Sequence, residues 1–425
     1  MSESFIHYLW QYQYFNKLDL HTTSGESLHV FSPGVKNPNA GPDFLHAKIR
    51  LGEMQWVGNV ELHIDASAWM QHKHHHDPGY DNVILHVVWR NDHPVANREG
   101  QLIPTLELKT RVDDAIVSTY RNLVSSAEEI PCAPKLPGLR RIIVFSALDR
   151  VLSIRLENKS REVEELLSSN RGDWEETCYQ VLARNFGFKV NADPFFMLAR
   201  MVPYKTLMKH SDKLFQIEAM LFGVAGFLDD DHDYEYYKVL QREFTLLRRK
   251  YGLDHVMMNK TQWKFLRLRP ANFPTIRIAQ LASYLHYRQN IFSSMLNCSF
   301  EKLREDLDTP PSSFWQTHYN FSHESHIKDG QAGSSSIDNV LINTIVPLNA
   351  CYAKIKDDET YMDRALRILY SLPSESNSIT RKWNNFSIKS RNAFDSQALI
   401  ELYNNFCSRH RCLECNIGAS LVKPT

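Results

Sequence analysis

At 425 residues the chain is long enough for two or three domains, each burying its own core. Its 49 lysines and arginines equal its 49 aspartates and glutamates, which excludes a nucleic-acid footprint written in net charge and leaves only a local patch for that role. No apolar run approaches the roughly 20 residues of a membrane helix, the start MSESFIHYLW lacks a basic stretch followed by an apolar core, and seven cysteines in so long a chain make no disulfide framework; a cytoplasmic protein is expected.

In chain order, residues 4–15 place Phe5, Leu9, Trp10 and Tyr14 near helical spacing and predict a first helix capped by Ser4. A strand over 27–35 closes on Pro33-Gly34, and a turn follows through Pro42. The stretch from Gly41 to His63 then reads as two strands joined by a polar turn, with Asp43 opening the first and Glu61 and His63 near the end of the second. Strand side chains alternate, so Glu61 and His63 share one face, and Val60, Leu62 and Ile64 the other. An ionised carboxylate on a half-buried strand needs a metal ion, a cation or a donor network to offset its desolvation, and Asp43 is the second carboxylate at hand. After a short polar helix from Asp65 comes the run His72, His74, His75, His76, Asp77. Residues 82–89 form an apolar run broken only by His86, the pattern of a strand buried on both faces, and 102–109 predict one more strand.

The proline-rich residues 130–138 predict a domain boundary. Beyond them the texture is helical: a long amphipathic helix over 147–170, then helices over 174–187, 193–201, 204–210, 213–228, 234–250, 269–285, 339–352 and 361–370. The expected fold class is α+β, with an N-terminal mixed-sheet domain over 1–129, the boundary at 130–138, and a mainly α-helical region over 139–425 that ends in a cysteine cluster.

Three constellations carry candidate chemistry. Asp43, Glu61 and His63 would hold Mg²⁺ or Mn²⁺, with His63 assisting a metal-bound water and Glu3 as an auxiliary acid; the alternative makes Asp43 a turn cap and pairs Glu61 with Lys48 or Arg50. His72, His75, His76, Asp77 and His86 offer ligands for zinc, but the run flanks Asp77-Pro78-Gly79, so a solvated turn lining a cleft outweighs a dedicated site. Glu107 and Lys109, with Asp81, form a rival acid-x-lysine set ranked below the first. Toward the end of the sequence Cys407, His410, Cys412 and Cys415 have spacing suited to zinc or to three corners of an iron–sulfur cluster, with Cys132 as the distant fourth ligand; reduced buried thiols are the alternative.

Pro42-Asp43 on one strand and Glu61-Leu62-His63 on the next, in the order helix, three strands, helix, two strands, resemble the PD-(D/E)XK phosphodiesterase core. His63 stands where that family usually has lysine, exchanging a fixed cation for a group that titrates and ligates metal. The resemblance implies a nuclease-like hydrolase acting on nucleic acid, or a non-catalytic binding scaffold that keeps the fold. A second resemblance rests on residues 41–44 (GPDF), 58–63 (GNVELH), 80–88 (YDNVILHVV), 216–226 (QIEAMLFGVAG), 269–274 (RPANFP) and 412–418 (CLECNIG). Together these blocks resemble the bacterial domain-of-unknown-function family DUF 2851, whose name implies no activity.

Overall fold

The computed structural model describes residues 1–324, 330–386 and 388–424. Helix α1 (Glu3–Tyr12) starts one residue before the expected cap, and Ser2 stands at its N-cap. Neither serine caps it: the Ser2 hydroxyl is 2.6 Å from the Tyr120 hydroxyl instead. Phe5, Ile6, Leu9 and Trp10 give α1 its fully buried stripe.

The sheet is built from β1 (Leu28–Ser32), β2 (Val35–Lys36), β3 (Phe44–Leu51), β4 (Met54–Asp65), β5 (Val83–Arg90) and β6 (Thr105–Glu107). Its order is β1-β3-β4-β5-β6, with β2 beside β3. The first part is antiparallel, because a tight turn at Gly52 (φ 51°) joins β3 directly to β4. Strands β4 and β5 are parallel, which requires a crossover; residues 66–82 supply it through α2 (Ala68–Gln71) and two single 3₁₀ turns. Strand β6 is shorter than the expected 102–109, since Pro104 has no N–H to extend the ladder on this edge strand.

Two irregularities flank the middle of the sheet. The β3–β4 register slips between Phe44 and Ala47, with His46 at φ 57°, and the β4–β5 register slips between Asn59 and Val60. Close backbone approach accounts for the second: a Cβ on Gly58 would lie 2.4 Å from Ile84 Cγ2 and 2.8 Å from Asn82 O. Bulges re-aim side chains, and these two fall on either side of β4 at the start of Val60–His63.

The chain divides into one unit of Met1–Asp149 with Glu401–Thr425 and another of Arg150–Ile400. The proline-rich 130–138 therefore lies inside the first unit: it forms a 3₁₀ turn, Ala133–Gly138, that buries Ala133 and Leu136 as core. The last residues, expected with the helical region, also belong to the first unit. Helix α3 (Asp114–Val124) is capped by Asp113, which accepts from Ala115 N–H, and α4 (Arg141–Ser169) begins six residues earlier than its periodicity predicts.

The second unit is a helical assembly containing α5 (Trp174–Phe186), α6 (Ala192–Met201), α7 (Tyr204–Met208), α8 (Leu214–Val224), α9 (Glu235–Tyr251) and α10 (Pro274–Tyr287). Ser334–Lys356 is continuous helix with a π turn at Leu341–Ile345. Pro347 explains the turn: it cannot bond the carbonyl of Asn343, which accepts from Asn185 Nδ2 at 2.9 Å instead. Helix α8 is buried from Ile217 to Val224 and touches α9 where Gly223 faces Phe244; a Cβ there would lie 2.3 Å from the ring. Gly223→Ala is thus expected to destabilise this unit by about 1–2 kcal/mol despite the better helix propensity of alanine, read as a lower urea midpoint. An unchanged midpoint would show that the Phe244 ring can retreat. Among the described residues no helix is long and apolar enough to cross a membrane.

Candidate metal centre

Strand β4 carries both acid and imidazole at a place where the sheet is covered on each face. Glu61 is 5% exposed and His63 1%. The two strands lock their acids reciprocally: Asp43 N–H donates to Glu61 Oε2 at 3.1 Å, and Leu62 N–H donates to Asp43 Oδ2 at 2.9 Å. Asp43 sits in the turn just before β3, and its Oδ2 is 3.2 Å from His7 Nε2 on α1. Among the described residues no lysine or arginine forms an ion pair with Asp43 or Glu61. Lys48 and Arg50, the partners Glu61 would need for a purely structural role, lie over the Phe31 ring instead.

What surrounds Glu61 is imidazole. Its Oε1 is 3.3 Å from His74 Nε2 and 3.6 Å from His63 Nε2, and His63 Nε2 is 3.1 Å from His72 Nδ1. The ligating nitrogens of His63, His72 and His74 all lie within 4.8 Å of one another. His72 and His74 converge because Lys73 between them adopts φ 61°, which folds the chain back after α2. His74 is then clamped by Tyr80, stacked at 3.9 Å, and by the edge of Trp69 at 5.3 Å. Its buried Nε2 makes no well-formed hydrogen bond, although a carboxylate oxygen is beside it.

On the other side of His63, Nδ1 meets His86 Nε2 at 2.9 Å. His86 reaches this point because the parallel register sets it opposite Glu61. Burial, reinforced by the crowding of His86, His74 and His72, pushes the His63 pKa down to about 3, and burial does the same to His86. Both are neutral rings at ordinary pH. Burial also raises the Glu61 pKa, with the Asp43 charge adding to the shift and His74 opposing it. Tyr80 is pushed up to about 12 by burial and then by the Glu61, Asp43 and Asp77 charges, so it stays a phenol.

Tetrahedral zinc with bonds of about 2.0–2.1 Å sets neighbouring donor atoms about 3.4 Å apart; the His63–His72, Glu61–His74 and Glu61–His63 separations of 3.1, 3.3 and 3.6 Å lie near that value, while the group whose donor atoms all lie within 4.8 Å of one another is the three imidazoles without Glu61. His72 is exposed at one side of the group, which leaves an approach from solvent. The arrangement suits a nitrogen-rich divalent cation with an open position.

Of the residues singled out from sequence, Glu61, His63, His72 and His86 come together, with Asp43 adjoining through the backbone of β3 and β4. Others do not. Glu3 is exposed, and α1 presents His7 to Asp43 in its place. His75 and His76 pack on each other at 3.9 Å, and Asp77 caps Gly79 N–H. The rival set is dispersed: Lys109 is exposed and Asp81 pairs with Arg98. His74, His7 and Tyr80 were passed over as site residues; His74 was visible only as one member of the run. The second unit has a cleft of about 750 Å³ lined by Lys159, Arg184 and Glu162 among others. Those three charges pair with one another, and no metal-ligating group forms there among the described residues.

No curated protein and no solved structure matches the chain. A family model does, over residues 3–378, a span that holds the whole histidine and carboxylate site and stops short of Cys407, Cys412 and Cys415. The chain therefore belongs to the family described as Protein of unknown function (DUF2851).

Proposed function

We propose that the first unit is a metal-dependent phosphodiesterase of the nuclease-like kind, hydrolysing nucleic acid. The observation that carries the reading is the convergence of Glu61 Oε1 with the ring nitrogens of His63 and His74, and of His63 with His72, at 3.1–3.6 Å. Three imidazoles favour Zn²⁺ or Mn²⁺ over Mg²⁺, which prefers oxygen ligands and its own waters. The bound ion would acidify a water and polarise a phosphoryl oxygen. Asp43, 25% exposed by side chain, held by Leu62 N–H and 3.2 Å from His7, is the group assigned to take the proton of that water. The phosphodiester substrate class rests on the resemblance of the α1–β4 order, with its Pro-Asp and Glu-x-His placement, to the PD-(D/E)XK core.

The test is hydrolysis of an activated phosphodiester and of single- and double-stranded DNA and RNA by untagged protein with Zn²⁺ or Mn²⁺. Glu61→Gln is expected to weaken binding of the ion by at least about 100-fold, since even the partners of ligands are worth 10–100-fold, and Asp43→Asn to lower turnover with binding retained. Equal Mn²⁺ and Zn²⁺ affinity in parent and Glu61→Gln protein would sink the reading. Metal and nucleic-acid binding without turnover would instead support the scaffold, which histidine in place of lysine at position 63 favours.

A further inference from the structure

The cleft of about 750 Å³ lies wholly within the helical second unit. Its size falls inside the roughly 300–1,000 Å³ that small-molecule sites occupy. Helices turn cations toward it. Arg155 and Lys159 stand one turn apart on α4, Arg184 lies in the last turn of α5, and Phe196 and Arg200 stand one turn apart on α6. Phe188 and Lys189 follow α5 directly, and the chain is turned there by Phe188 at φ 50°.

Five of the lining side chains are cationic and three are carboxylates. Glu162 answers Lys159 at 3.0 Å and Arg184 at 3.6 Å. Lys189 and Arg200 are exposed, and among the described residues neither has an acidic partner. Arg200 instead shares the half-buried Phe196 ring with Arg184, each guanidinium 5.9 Å from its centroid. Two guanidinium groups on one ring can fork a single phosphate.

A further cation adds to this field. Arg277 of α10 is 3% exposed and lies 4.5 Å over the Phe188 ring, a lining group of the cleft. Its partners are all neutral: Gln280 Oε1 at 2.9 Å, Asn272 Oδ1 at 2.5 Å and Ser336 Oγ at 2.8 Å, while its Nε has none. Burial lowers its pKa only to about 10, so the charge is kept at neutral pH. A buried cation without a carboxylate is costly and weakly screened, and an anion bound near it offsets that cost.

Other lining groups mix donors with acceptors. Asn339 Nδ2 donates to Glu375 Oε1 at 3.1 Å, Gln397 Nε2 donates to Glu375 Oε2, and Gln397 Oε1 accepts from Arg155 Nε at 2.7 Å. Amides and a carboxylate of this kind match the edge of a polar heterocycle, and phenyl faces match its plane.

We propose that this cleft binds a nucleoside phosphate, with the phosphate at Arg184, Lys189 and Arg200, the base against the Phe188 and Phe196 rings, and its edge toward Asn339, Glu375 and Gln397. Binding makes and breaks no covalent bond. It is independent of the histidine centre and of any hydrolysis there.

The experiment is calorimetric titration of full-length protein in EDTA with the four ribonucleoside monophosphates and their triphosphates, and separately with adenosine and inorganic phosphate. At least one nucleotide is expected to bind with Kd below about 1 mM, and more tightly than adenosine or phosphate alone. Lys189→Gln, Arg200→Gln protein should lose about 10-fold or more of that affinity. Both side chains are exposed, so an unchanged urea midpoint is expected to show that the fold is kept. A His63→Ala, His74→Ala variant should bind as the parent does. No nucleotide binding in that range, phosphate bound as tightly as the nucleotides, parental affinity in the Lys189→Gln, Arg200→Gln protein, or binding lost with the histidines each overturns the proposal.

Discussion

Alanine in place of His63 should abolish metal-dependent hydrolysis and lower Zn²⁺ affinity by at least about 100-fold, whereas alanine in place of His86 should lower affinity by about 10–100-fold and spare turnover at saturating metal. The difference follows from how the two rings meet. His63 Nε2 faces His72 and Glu61, so with a cation bound as proposed its lone pair would meet the ion and the ring proton would sit on Nδ1. In that tautomer the N–H would donate to His86 Nε2, 2.9 Å away, and so orient the His63 ring without touching the proposed ion. On this reading, removing His63 deletes a ligand, whereas removing His86 leaves the ligand in place but free to turn and less basic. Calorimetric Zn²⁺ titration of both variants, with folding checked by circular dichroism, gives the comparison. Equal losses at the two positions would mean that His86 and not the His72 side of His63 faces the metal.

This ranking could not be drawn from the sequence, and the reason is geometric. The shared face of Glu61 and His63 was legible because strand alternation is local and rigid. His86 stood out as one polar residue in an apolar run, yet its place opposite Glu61 depends on the parallel pairing of β4 with β5, a contact across the whole crossover. The choice of His74 over His75 turns on a single left-handed residue, Lys73, which no hydrophobic period reveals. His7 lies one turn beyond Glu3 on α1, so a helical face pointing at Asp43 was foreseeable, but which turn reaches it depends on how the helix seats. The proline-rich 130–138 misled for a related reason: prolines suit a buried 3₁₀ turn as well as a linker, and only the burial of Ala133 and Leu136 separates the two. The helices α5 to α10 and those within 334–356 and 359–371 were plain from periodicity, whereas the short helices Ile291–Asn297, Phe300–Leu307 and Ser378–Asn385 and the later Ala393–Asn405 were missed, and the return of the last residues to the first unit carries no local signature.

The second large effect is a pH-dependent stability of the helical unit set by Glu218. This residue lies within the apolar helix α8 and is fully buried. Its Oε2 accepts from Tyr236 Oη at 2.8 Å and its Oε1 from Ser312 Oγ at 2.7 Å. Burial outweighs both hydrogen bonds and raises the carboxyl pKa from 4.5 to about 7. Below pH 4.5 the side chain is protonated folded or unfolded and adds no pH dependence. Between about 4.5 and about 7 the unfolded chain has lost the proton and the folded one keeps it, so the folded state binds more protons and stability falls as pH rises. Above about 7 both are ionised and the loss is complete, at about 3 kcal/mol by the usual conversion of roughly 1.4 kcal/mol per pKa unit. Glu218→Gln removes the titration. Its amide still accepts from Ser312 and donates to Tyr236, whose hydroxyl already accepts from Trp315 Nε1 at 3.0 Å and can turn its own proton to Ser312 Oγ, 3.3 Å away. The variant should therefore match or slightly trail the parent at pH 5 and exceed it at pH 8, with the helical unit's urea midpoint almost flat between them. A parent midpoint that stays constant over that range, or a variant that follows the same slope, would place the pH sensitivity elsewhere.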